Sequence, residues 1–371
     1  MRILFVSTHS NPLDSPVNGD TQRTRVLYEA CKRIADVDVI SFEGQPSHAQ
    51  PLGRLKKWLA LLPFSGVTAL FPVDPRKEAV IDAAMAKGNY DCIVARYFFR
   101  AMPCGLWKYR EKLVIDFDDA LPFFFLSQIH SGSAWTSRIR LRWAARRAKT
   151  VTRRAVREMK GSFFAEQSVA EENHGMFLPN IPYYPGTCPD ADMGAETKRM
   201  VFVGQLEYQP NREGLDRFLE RVYLPLVQRL PQVELRLVGQ IKDEALRQRW
   251  QGYPGVTVTG FVEDLRQEYC QSLVAIVPIY RCGATNIKIL EAMAMNRACV
   301  TTMEAYYKLE RQFEIGRDLC AAANDGEFVE LLEKLLTDDK ENSRIARNGK
   351  AVMDRYYSFD AFSNIVKTAL A

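Results

Sequence analysis

The chain of 371 residues lacks several features, and each absence argues against a class of protein. Its four histidines form no H-x-x-x-H pair, which disfavours a dedicated zinc site. No apolar run approaches the ~20 residues of a transmembrane helix, and the apolar stretch at residues 2–6 is too short for a signal peptide. The glycine fingerprint G-x-G-x-x-G is also missing, so binding of a nicotinamide dinucleotide is disfavoured.

Cysteine is present eight times, but no two cysteines form a C-x-x-C pair. Several of them, such as Cys92 and Cys299, lie inside apolar segments. Thiols in such segments behave as small hydrophobic side chains. The sequence therefore predicts that all the cysteines are reduced, as in a cytoplasmic protein.

The composition is that of an ordinary globular protein, with 47% hydrophobic and 26% charged residues. A length of 371 residues favours two domains, each with a full core. The formal charge of +5 is a mild excess that permits contact with phosphates or an anionic membrane without requiring nucleic acid.

Short apolar segments alternate with amphipathic ones along most of the chain, which predicts parallel strands connected by helices. A proline-rich segment at 182–197 divides this pattern and predicts a linker between two domains. The predicted strands are residues 2–7, 37–42, 91–95, 113–117 and 161–165 before the linker, and 201–204, 233–239, 256–262, 275–278 and 298–300 after it.

The segment 275–302 reads as strand, turn, helix and strand, and its turn opens onto the start of the helix. Thr285 or Asn286 is the expected N-cap, and Lys288 lies in the first turn. Free amides and the macrodipole at a helix start favour phosphate, and Lys288 adds a full positive charge. Glu291, one turn later, suits a sugar hydroxyl. The alternative is an ordinary crossover in which Lys288 and Glu291 form a surface pair.

Three carboxylates, Asp116, Asp118 and Asp119, follow the predicted strand 113–117. Open α/β sheets bind ligands at the carboxyl ends of their strands. We expect one of the three, Asp118, to face the ligand as a base or a hydroxyl anchor. The alternative is that Asp118 or Asp119 caps the next helix. Arg96 ends the preceding strand and belongs to the same edge.

Two segments are rich in cations. Residues 136–160 contain eight arginines, two lysines and one acid, and predict a basic helix that is solvated, touches anionic lipid, or contacts nucleic acid. Nucleic acid ranks below the other two because no recognised nucleic-acid-binding motif accompanies the helix. Residues 54–71 combine cations with aromatics and predict either an insertion packed on the core or an interfacial anchor.

Pro278 followed by the heptapeptide K-I-L-E-A-M-A at 288–294 resembles the donor-site motif of family 4 glycosyltransferases with the GT-B fold. The resemblance implies an α/β protein of two Rossmann-like, doubly wound domains facing across a cleft. Residues 1–183 would bind the acceptor and residues 198–355 the nucleotide sugar. A C-terminal helix at 356–371 would cross back to the N-terminal domain.

The resemblance also assigns roles to residues of this sequence. Lys288, Glu291 and Asp118 are the expected catalytic residues. Asp20, Arg23 and Arg96 are expected at the acceptor, although a helix cap and a solvent-facing arginine are equally good interpretations of Asp20 and Arg23. The expected donor-binding residues are Gly19, Gly204, Gln205, Arg212, Gly260, Phe261, Val262, Arg281, Gly283, Thr285, Asn286, Lys288 and Glu291.

The sequence departs from the commonest form of the motif at three positions. Gly283 stands where many members have a second glutamate, so the sugar-contacting role of that residue has no counterpart. Gln205 and Pro210 stand where many members have an arginine and a lysine on the diphosphate. Arg212 or Arg281 is expected to supply the missing charge.

The resemblance predicts a glycosyltransferase that is retaining, metal-independent and free of cofactors, with a nucleotide sugar as donor. The expected acceptor is a glycan or a lipid-linked glycan of polysaccharide biosynthesis. The expected location is the cytoplasm, with peripheral contact at the inner face of the membrane as an option and no nucleic-acid partner. The alternatives are a weakly active or non-catalytic homologue and a nucleotide-sugar epimerase.

Overall fold

A computed structural model describes residues 1–14, 19–45, 71–118, 135–182, 186–281, 286–307 and 309–371, without the side chains of Gly19 and Asp20. Gly283 and Thr285, expected at the donor, lie outside the described residues. So do Asp119, Cys282 and all of the segment 54–71 except Phe71, whose side chain is buried.

The chain divides into two compact units. The first contains residues 1–180 together with 359–371, and the second contains residues 181–358. The domain boundaries that the sequence predicts, at residues 183, 198 and 356, stay predictions.

The first unit is built on a six-stranded parallel sheet in the order β2-β1-β3-β4-β5-β6. Its strands are β1 (Arg2–Ser7), β2 (Asp36–Ser41), β3 (Cys92–Arg96), β4 (Leu113–Asp118), β5 (Gly161–Phe164) and β6 (Met176–Phe177). Its first helices are α1 (Gly19–Ile34), α2 (Pro75–Lys87), α3 (Phe98–Ala101), α4 (Trp135–Glu158) and α5 (Gln167–Asn173). Two 3₁₀ segments, Met102–Cys104 and Leu106–Lys112, follow α3.

The core of the first unit follows from the apolar runs of its central strands. Residues 3–6 of β1 are completely buried, as expected for a parallel strand covered on both faces. The ring of Phe117 stacks on Phe98 and on Phe164, with centroid separations of 5.1 and 4.8 Å. Phe71 contacts the edge of Phe98, so the end of the predicted insertion packs on the core.

The second unit has a parallel sheet in the order β12-β11-β10-β7-β8-β9. Its strands are β7 (Lys198–Val203), β8 (Val233–Val238), β9 (Val256–Gly260), β10 (Val274–Val277), β11 (Ala298–Thr302) and β12 (Cys320–Ala322). This is the doubly wound order of nucleotide-binding domains, and the direction of winding changes between β7 and β10.

The helices of the second unit are α6 (Gln209–Phe218), α7 (Leu224–Arg229), α8 (Glu244–Gln251), α9 (Leu265–Cys270), α10 (Ile287–Ala294), α11 (Met303–Tyr306), α12 (Asp325–Thr337) and α13 (Asp339–Tyr356). A π turn, Leu219–Tyr223, joins α6 to α7. Pro225 lies just after it and has no N–H to continue the α-helical pattern.

The last helix, α14 (Phe359–Leu370), belongs to the first unit. Its side chains Phe362, Val366 and Leu370 are buried. Asp360 pairs with Arg33 at the end of α1, and the guanidinium of Arg33 lies 5.8 Å from the ring centroid of Phe359. Helix α14 therefore shares a compact unit with β1 and α1.

The cysteines correct one expectation. Cys188 and Cys270 form a disulfide, so the prediction that every cysteine is reduced is wrong for this pair. Their 82-residue separation hid the pairing, because folding brings the linker alongside the end of α9. Arg297 also connects the linker to the end of α9, because its guanidinium donates to the carbonyls of Pro189 and Cys270. Five other cysteines are buried and free: Cys31, Cys92, Cys104, Cys299 and Cys320.

Candidate functional site

Three neighbouring strands of the second unit, β7, β8 and β9, lead into or end at a glycine: Gly204, Gly239 and Gly260. The amide of Gly239 donates to the carbonyl of Gly260 at 2.9 Å. A Cβ on Gly239, whose φ is 148°, would lie only 1.7 Å from the carbonyl oxygen of Gly204. The backbone at Gly239 therefore lies close to the backbone at Gly204, and a side chain at Gly239 would push the two segments apart.

Lys288 is held at this edge by Asn211. Helix α10 begins after Asn286, and the Nζ of Lys288 in its first turn donates to the Oδ1 of Asn211 at 3.1 Å. The Nδ2 of Asn211 donates to the carbonyl of Gln205 at 2.7 Å. Asn211 is 3% exposed, so it is a fixed link between the turn after β7 and the start of α10.

Gly204 lies against the same pair of side chains. A Cβ there would be 3.1 Å from the Nδ2 of Asn211 and 3.3 Å from the Cε of Lys288. The structure thus brings Gly204, Gln205 and Lys288, three expected donor residues, to the point where the winding of the sheet changes. Open α/β sheets bind their ligands at this position. Asn211 is the residue that sequence reasoning missed.

The expected donor residues of this unit differ in burial. Glu291 lies one turn after Lys288 on α10 and is 8% exposed. Gln205, Arg212 and Arg281 have exposed side chains. Phe261, directly after β9, is 73% exposed and Val262 is half-buried. Gly19, the remaining described residue of the donor set, begins α1 in the first unit.

A second cluster fixes the chain beyond β10. The Nε of Arg217 on α6 donates to the Oδ1 of Asp325 at 3.0 Å, and the hydroxyl of Tyr280 donates to the same oxygen at 3.2 Å. The guanidinium of Arg217 stacks over the ring of Tyr280 at 4.0 Å. Burial, reinforced by the Asp325 carboxylate, raises the pKa of Tyr280. Tyr280 is therefore a neutral hydrogen-bond donor, and it anchors the segment leading to Arg281.

In the first unit, two arginines and two aspartates meet at the carboxyl ends of β3 and β4. Asp116 is completely buried and accepts from the Nε of Arg23 at 2.8 Å and from the Nε of Arg96 at 2.9 Å. Asp118 accepts from the Nη2 of Arg96 at 2.6 Å. The Nη1 of Arg23 also donates to the carbonyl of Leu178 at 3.1 Å. The four formal charges of this group sum to zero.

The charges compensate for burial in this group. Burial by itself raises the pKa of Asp116, but the charges and hydrogen bonds of Arg23 and Arg96 outweigh it and hold the pKa below its usual range. Burial likewise opposes the charged form of Arg23, and the Asp116 carboxylate more than restores it, so the pKa of Arg23 is raised.

The backbone beside this group adopts an uncommon conformation at two non-glycine residues. Tyr97 has φ 58° and Asp118 has φ 61°, in the left-handed region. The hydroxyl of Tyr97 donates to the Oδ2 of Asp118 at 3.1 Å, and the guanidinium of Arg96 lies 4.6 Å from the Tyr97 ring centroid. Left-handed residues of this kind cluster at functional sites. The Asp118 side chain is 17% exposed, more than its three charged neighbours.

These contacts bear on the expected acceptor residues. Arg23 and Arg96 are 3% and 2% exposed and are committed to carboxylate partners. An arginine facing the solvent, one of the two interpretations of Arg23, is wrong because its guanidinium is completely enclosed. The expected contact of Arg96 and Arg23 with an acceptor stays a prediction, and their described partners make them supports of Asp118. Asp20 lies at the start of α1, and its role is likewise a prediction.

Among the described residues, no group of three or more histidine, cysteine, aspartate or glutamate side chains is arranged to hold a metal ion. Within the same residues, no helix combines the length and apolar character needed to cross a membrane.

Residues 197–338 match the family model described as glycosyl transferases group 1. This part of the chain is therefore similar to that family. The match includes the turn after β7, Asn211, Lys288 and Glu291. No curated protein matches the chain in a sequence search.

The structure as a whole resembles solved glycosyltransferase structures. Sucrose-phosphate synthase from Thermosynechococcus elongatus has a TM-score of 0.68 and 15% identity, with 99% of this chain and 97% of that one covered. Anabaena HepE, solved in complex with UDP and glucose, has a TM-score of 0.61 and 15% identity over 100% and 99% of the two chains. A glycosyltransferase from Rickettsia africae has a TM-score of 0.63 and 12% identity over 100% and 98%. These likenesses confirm the predicted class of fold, two doubly wound α/β units of the GT-B type.

Proposed function

We propose that the protein transfers a hexosyl group from a nucleoside-diphosphate sugar to a glycan or a lipid-linked acceptor. The observation that carries the proposal is the position of Lys288. Its ammonium group lies at the start of α10, is held by Asn211, and adjoins the backbone turn at Gly204. A cation combined with a helix N-terminus is a site for a phosphate group.

The same arrangement supports a reaction that needs no metal. When the glycosidic bond to the diphosphate breaks, negative charge grows on the phosphate oxygens. Lys288 and the amides at the start of α10 are oriented before that charge develops, and such preorganised groups stabilise a leaving group. Glu291, one turn further along α10, would hold the ribose hydroxyls. Retention of configuration and the absence of a cofactor are parts of the same proposal.

Asp118 is the proposed acceptor-orienting residue. Arg96 and Tyr97 fix its carboxylate by hydrogen bonds of 2.6 and 3.1 Å, and its side chain keeps 17% exposure. A carboxylate that is fixed and partly exposed suits the binding of a sugar hydroxyl.

The choice of donor is supported by two of the similar structures. HepE was solved with UDP and glucose, and TarM from S. aureus, with a TM-score of 0.58, was solved with alpha-GlcNAc-glycerol and UDP. We therefore propose a uridine diphosphate sugar as the first donor to test. A cytoplasmic location and a role in polysaccharide biosynthesis complete the proposal.

The test is to replace Lys288 and Glu291 singly by alanine and to measure sugar transfer and UDP binding. Loss of one preorganised donor to a leaving group lowers kcat by about 10²–10³-fold, and we expect a loss of that order for Lys288→Ala. Glu291→Ala should weaken donor binding as well. Lys340→Ala, an exposed residue at the start of α13, is the control and should change neither quantity.

Full transfer by both variants would refute the donor site. UDP binding without transfer to any acceptor would favour the non-catalytic alternative, which rests on Gln205 and Pro210 replacing the usual cations. Conversion of a nucleotide sugar in the absence of an acceptor would favour the epimerase.

A further inference from the structure

Helix α4 presents an exposed face that combines tryptophan with cations. The structure confirms the predicted basic helix, as Trp135–Glu158. Trp135 and Trp143 are 74% and 52% exposed, which is unusual for the largest apolar side chain. The outer face of α4 consists of Trp135, Arg142, Trp143, Arg146, Lys149 and Arg153, all with exposed side chains.

The opposite face of α4 accounts for the packing of the helix. Ala148, Val151 and Ala155 belong to the core of the first unit. Alanine dominates this face, so the helix is attached by small side chains. The long cationic side chains of the outer face are therefore not needed to hold the helix in place. Their number needs another explanation, because a surface helix is ordinarily solvated by mixed charges.

The outer face has an apolar ridge at its amino-terminal end. Trp135, Ile139 and Trp143 follow one another at a spacing of four residues and so lie on one side of the helix. Trp143 also contacts a cation, since the guanidinium of Arg146 lies 5.9 Å from its ring centroid. Apolar and positively charged groups thus alternate along this part of the helix.

Positive charge extends along the whole helix, with four arginines among residues 135–146 and four arginines and one lysine among residues 147–158. The ion pairs described for α4 use Glu158 and Glu172, which engage Lys149, Arg153 and Arg154 in its carboxyl-terminal half. Within α4 itself, residues 135–157 include no acidic residue, so Glu158 is the first acid of the helix. Positive charge and exposed tryptophan therefore coincide at the amino-terminal half.

We propose that the outer face of α4 docks on an anionic lipid bilayer. Cations on a helix surface are attracted by anionic headgroups, and tryptophan is favoured at the depth where headgroups meet acyl chains. A nucleic acid would account for the cations but would not need an apolar ridge on a convex helix. The proposal does not depend on sugar transfer, because it concerns a surface remote in sequence from Lys288 and Glu291.

The proposal is tested by co-sedimentation of the full chain with vesicles. Binding to phosphatidylcholine vesicles containing phosphatidylglycerol should be strong, and binding to phosphatidylcholine alone should be weak. Each cation near the surface contributes about fivefold to the partition coefficient, so Arg142→Glu combined with Arg146→Glu should lower it by about 25-fold or more. Raising the salt from about 0.1 to about 1 M should weaken wild-type binding, because the Debye length shortens to ~3 Å.

The matched control carries the same change of charge elsewhere. Lys340→Glu with Lys367→Glu, two exposed lysines on α13 and α14, should bind the anionic vesicles as the wild type does. Trp135→Ala with Trp143→Ala should weaken binding and abolish the shift of tryptophan emission that insertion produces, while Tyr356→Ala, another exposed aromatic, should not. Equal losses in the charge variant and its control would overturn the proposal. So would preferential retention of single-stranded RNA over anionic vesicles, which would identify a nucleic-acid surface instead.

Discussion

At the scale of single residues, the charged group of the first unit shows how burial and pairing compete. Arg23 and Arg96 each give up hydration, and Asp116 provides both with hydrogen bonds of 2.8 and 2.9 Å. Removing one member of such a group leaves buried charge without compensation, which costs more than the pair itself contributes. Asp116 is therefore a structural centre, and Asp118 beside it retains the exposure that a ligand requires.

Asp116→Asn should destabilise the protein by about 3–5 kcal/mol at neutral pH, because two buried guanidiniums lose their shared carboxylate. The folded-state pKa of Asp116 is lowered, so its contribution is complete above the unfolded value of about 4 and is lost as pH falls through the folded value. The difference between wild type and variant should therefore shrink below about pH 4. Urea unfolding measured across this range provides the test.

The control for this prediction is Asp360→Asn, which removes the exposed partner of Arg33. An exposed ion pair contributes about 0–1 kcal/mol, so this variant should remain close to the wild type throughout. A similar loss in both variants would mean that burial does not decide the strength of the Asp116 group.

The contact between Asn211 and Lys288 leads to a prediction about the donor site. If it serves to position Lys288, Asn211→Ala should raise the dissociation constant for UDP, because the ammonium group loses its fixed acceptor. A hydrogen bond to a charged group contributes about 1.5–3 kcal/mol, which corresponds to about tenfold or more in affinity. Titration calorimetry with UDP measures the effect.

Asn173 provides the matched control for Asn211. It is 7% exposed, and its Nδ2 donates to a carbonyl of its own helix in the first unit. Asn173→Ala should therefore reduce stability without changing UDP affinity. Unchanged affinity in Asn211→Ala would show that Lys288 finds its position without this bond.

At the scale of elements, the sequence predicts that a strand or helix is present more reliably than it predicts the residues at which that element begins and ends. Helix α6 begins at Gln209, with Pro210 in its first turn. Proline is favoured in the first turn of a helix, so the sequence does carry a local signal for this start. Strand β12, with three residues, is too short for its alternation to be recognised. The apolar runs of β1, β4 and β10 were recognisable because both of their faces are buried.

In the candidate site, too, some features could be predicted from the sequence and others could not. Lys288 and the start of α10 could be predicted because helix caps and first-turn charges are local signals. The partners of Arg23 could not, because Asp116 lies 93 residues away and only the fold brings the two together. Asn211 was hidden for the same reason, since its contact with Lys288 spans 77 residues.

Gly214 tests the contact between α6 and the end of β10. A Cβ at this position would lie 2.0 Å from the carbonyl oxygen of Pro278, which is backbone and cannot move aside as a flexible side chain can. Alanine is the better helix former by about 1 kcal/mol, but we expect the clash to dominate and Gly214→Ala to destabilise the second unit by about 1–3 kcal/mol. Chemical unfolding of the purified variant measures the change.

Gly326→Ala is the control for this substitution. It also lies in a helix, α12, but its added Cβ would meet only the side-chain oxygen of Asn324 at 3.3 Å. We expect it to be close to neutral. Equal stability of the two variants would show that α6 can move away from β10 without cost.

At the scale of the whole molecule, the two units differ in whether they are continuous in sequence. The second is one continuous stretch, residues 181–358, whereas the first is assembled from residues 1–180 and the final 359–371. The chain must therefore leave the first unit, complete the second and return. Opening of the first unit therefore involves a helix that follows the second unit in the sequence, whereas opening of the second unit involves one continuous stretch.

Phe362→Ala tests this division. Phe362 on α14 is 1% exposed within the first unit, and truncation of a buried phenylalanine costs about 3–5 kcal/mol. Hydrogen exchange should therefore speed up at the amides of β1 and β3, which are distant in sequence but share its unit, and stay unchanged in β7 and β8. Phe328→Ala on α12, also 1% exposed, should give the reverse pattern. If both variants loosened both sheets equally, the two units would unfold as one cooperative body, and the first unit's dependence on α14 would extend to the whole chain.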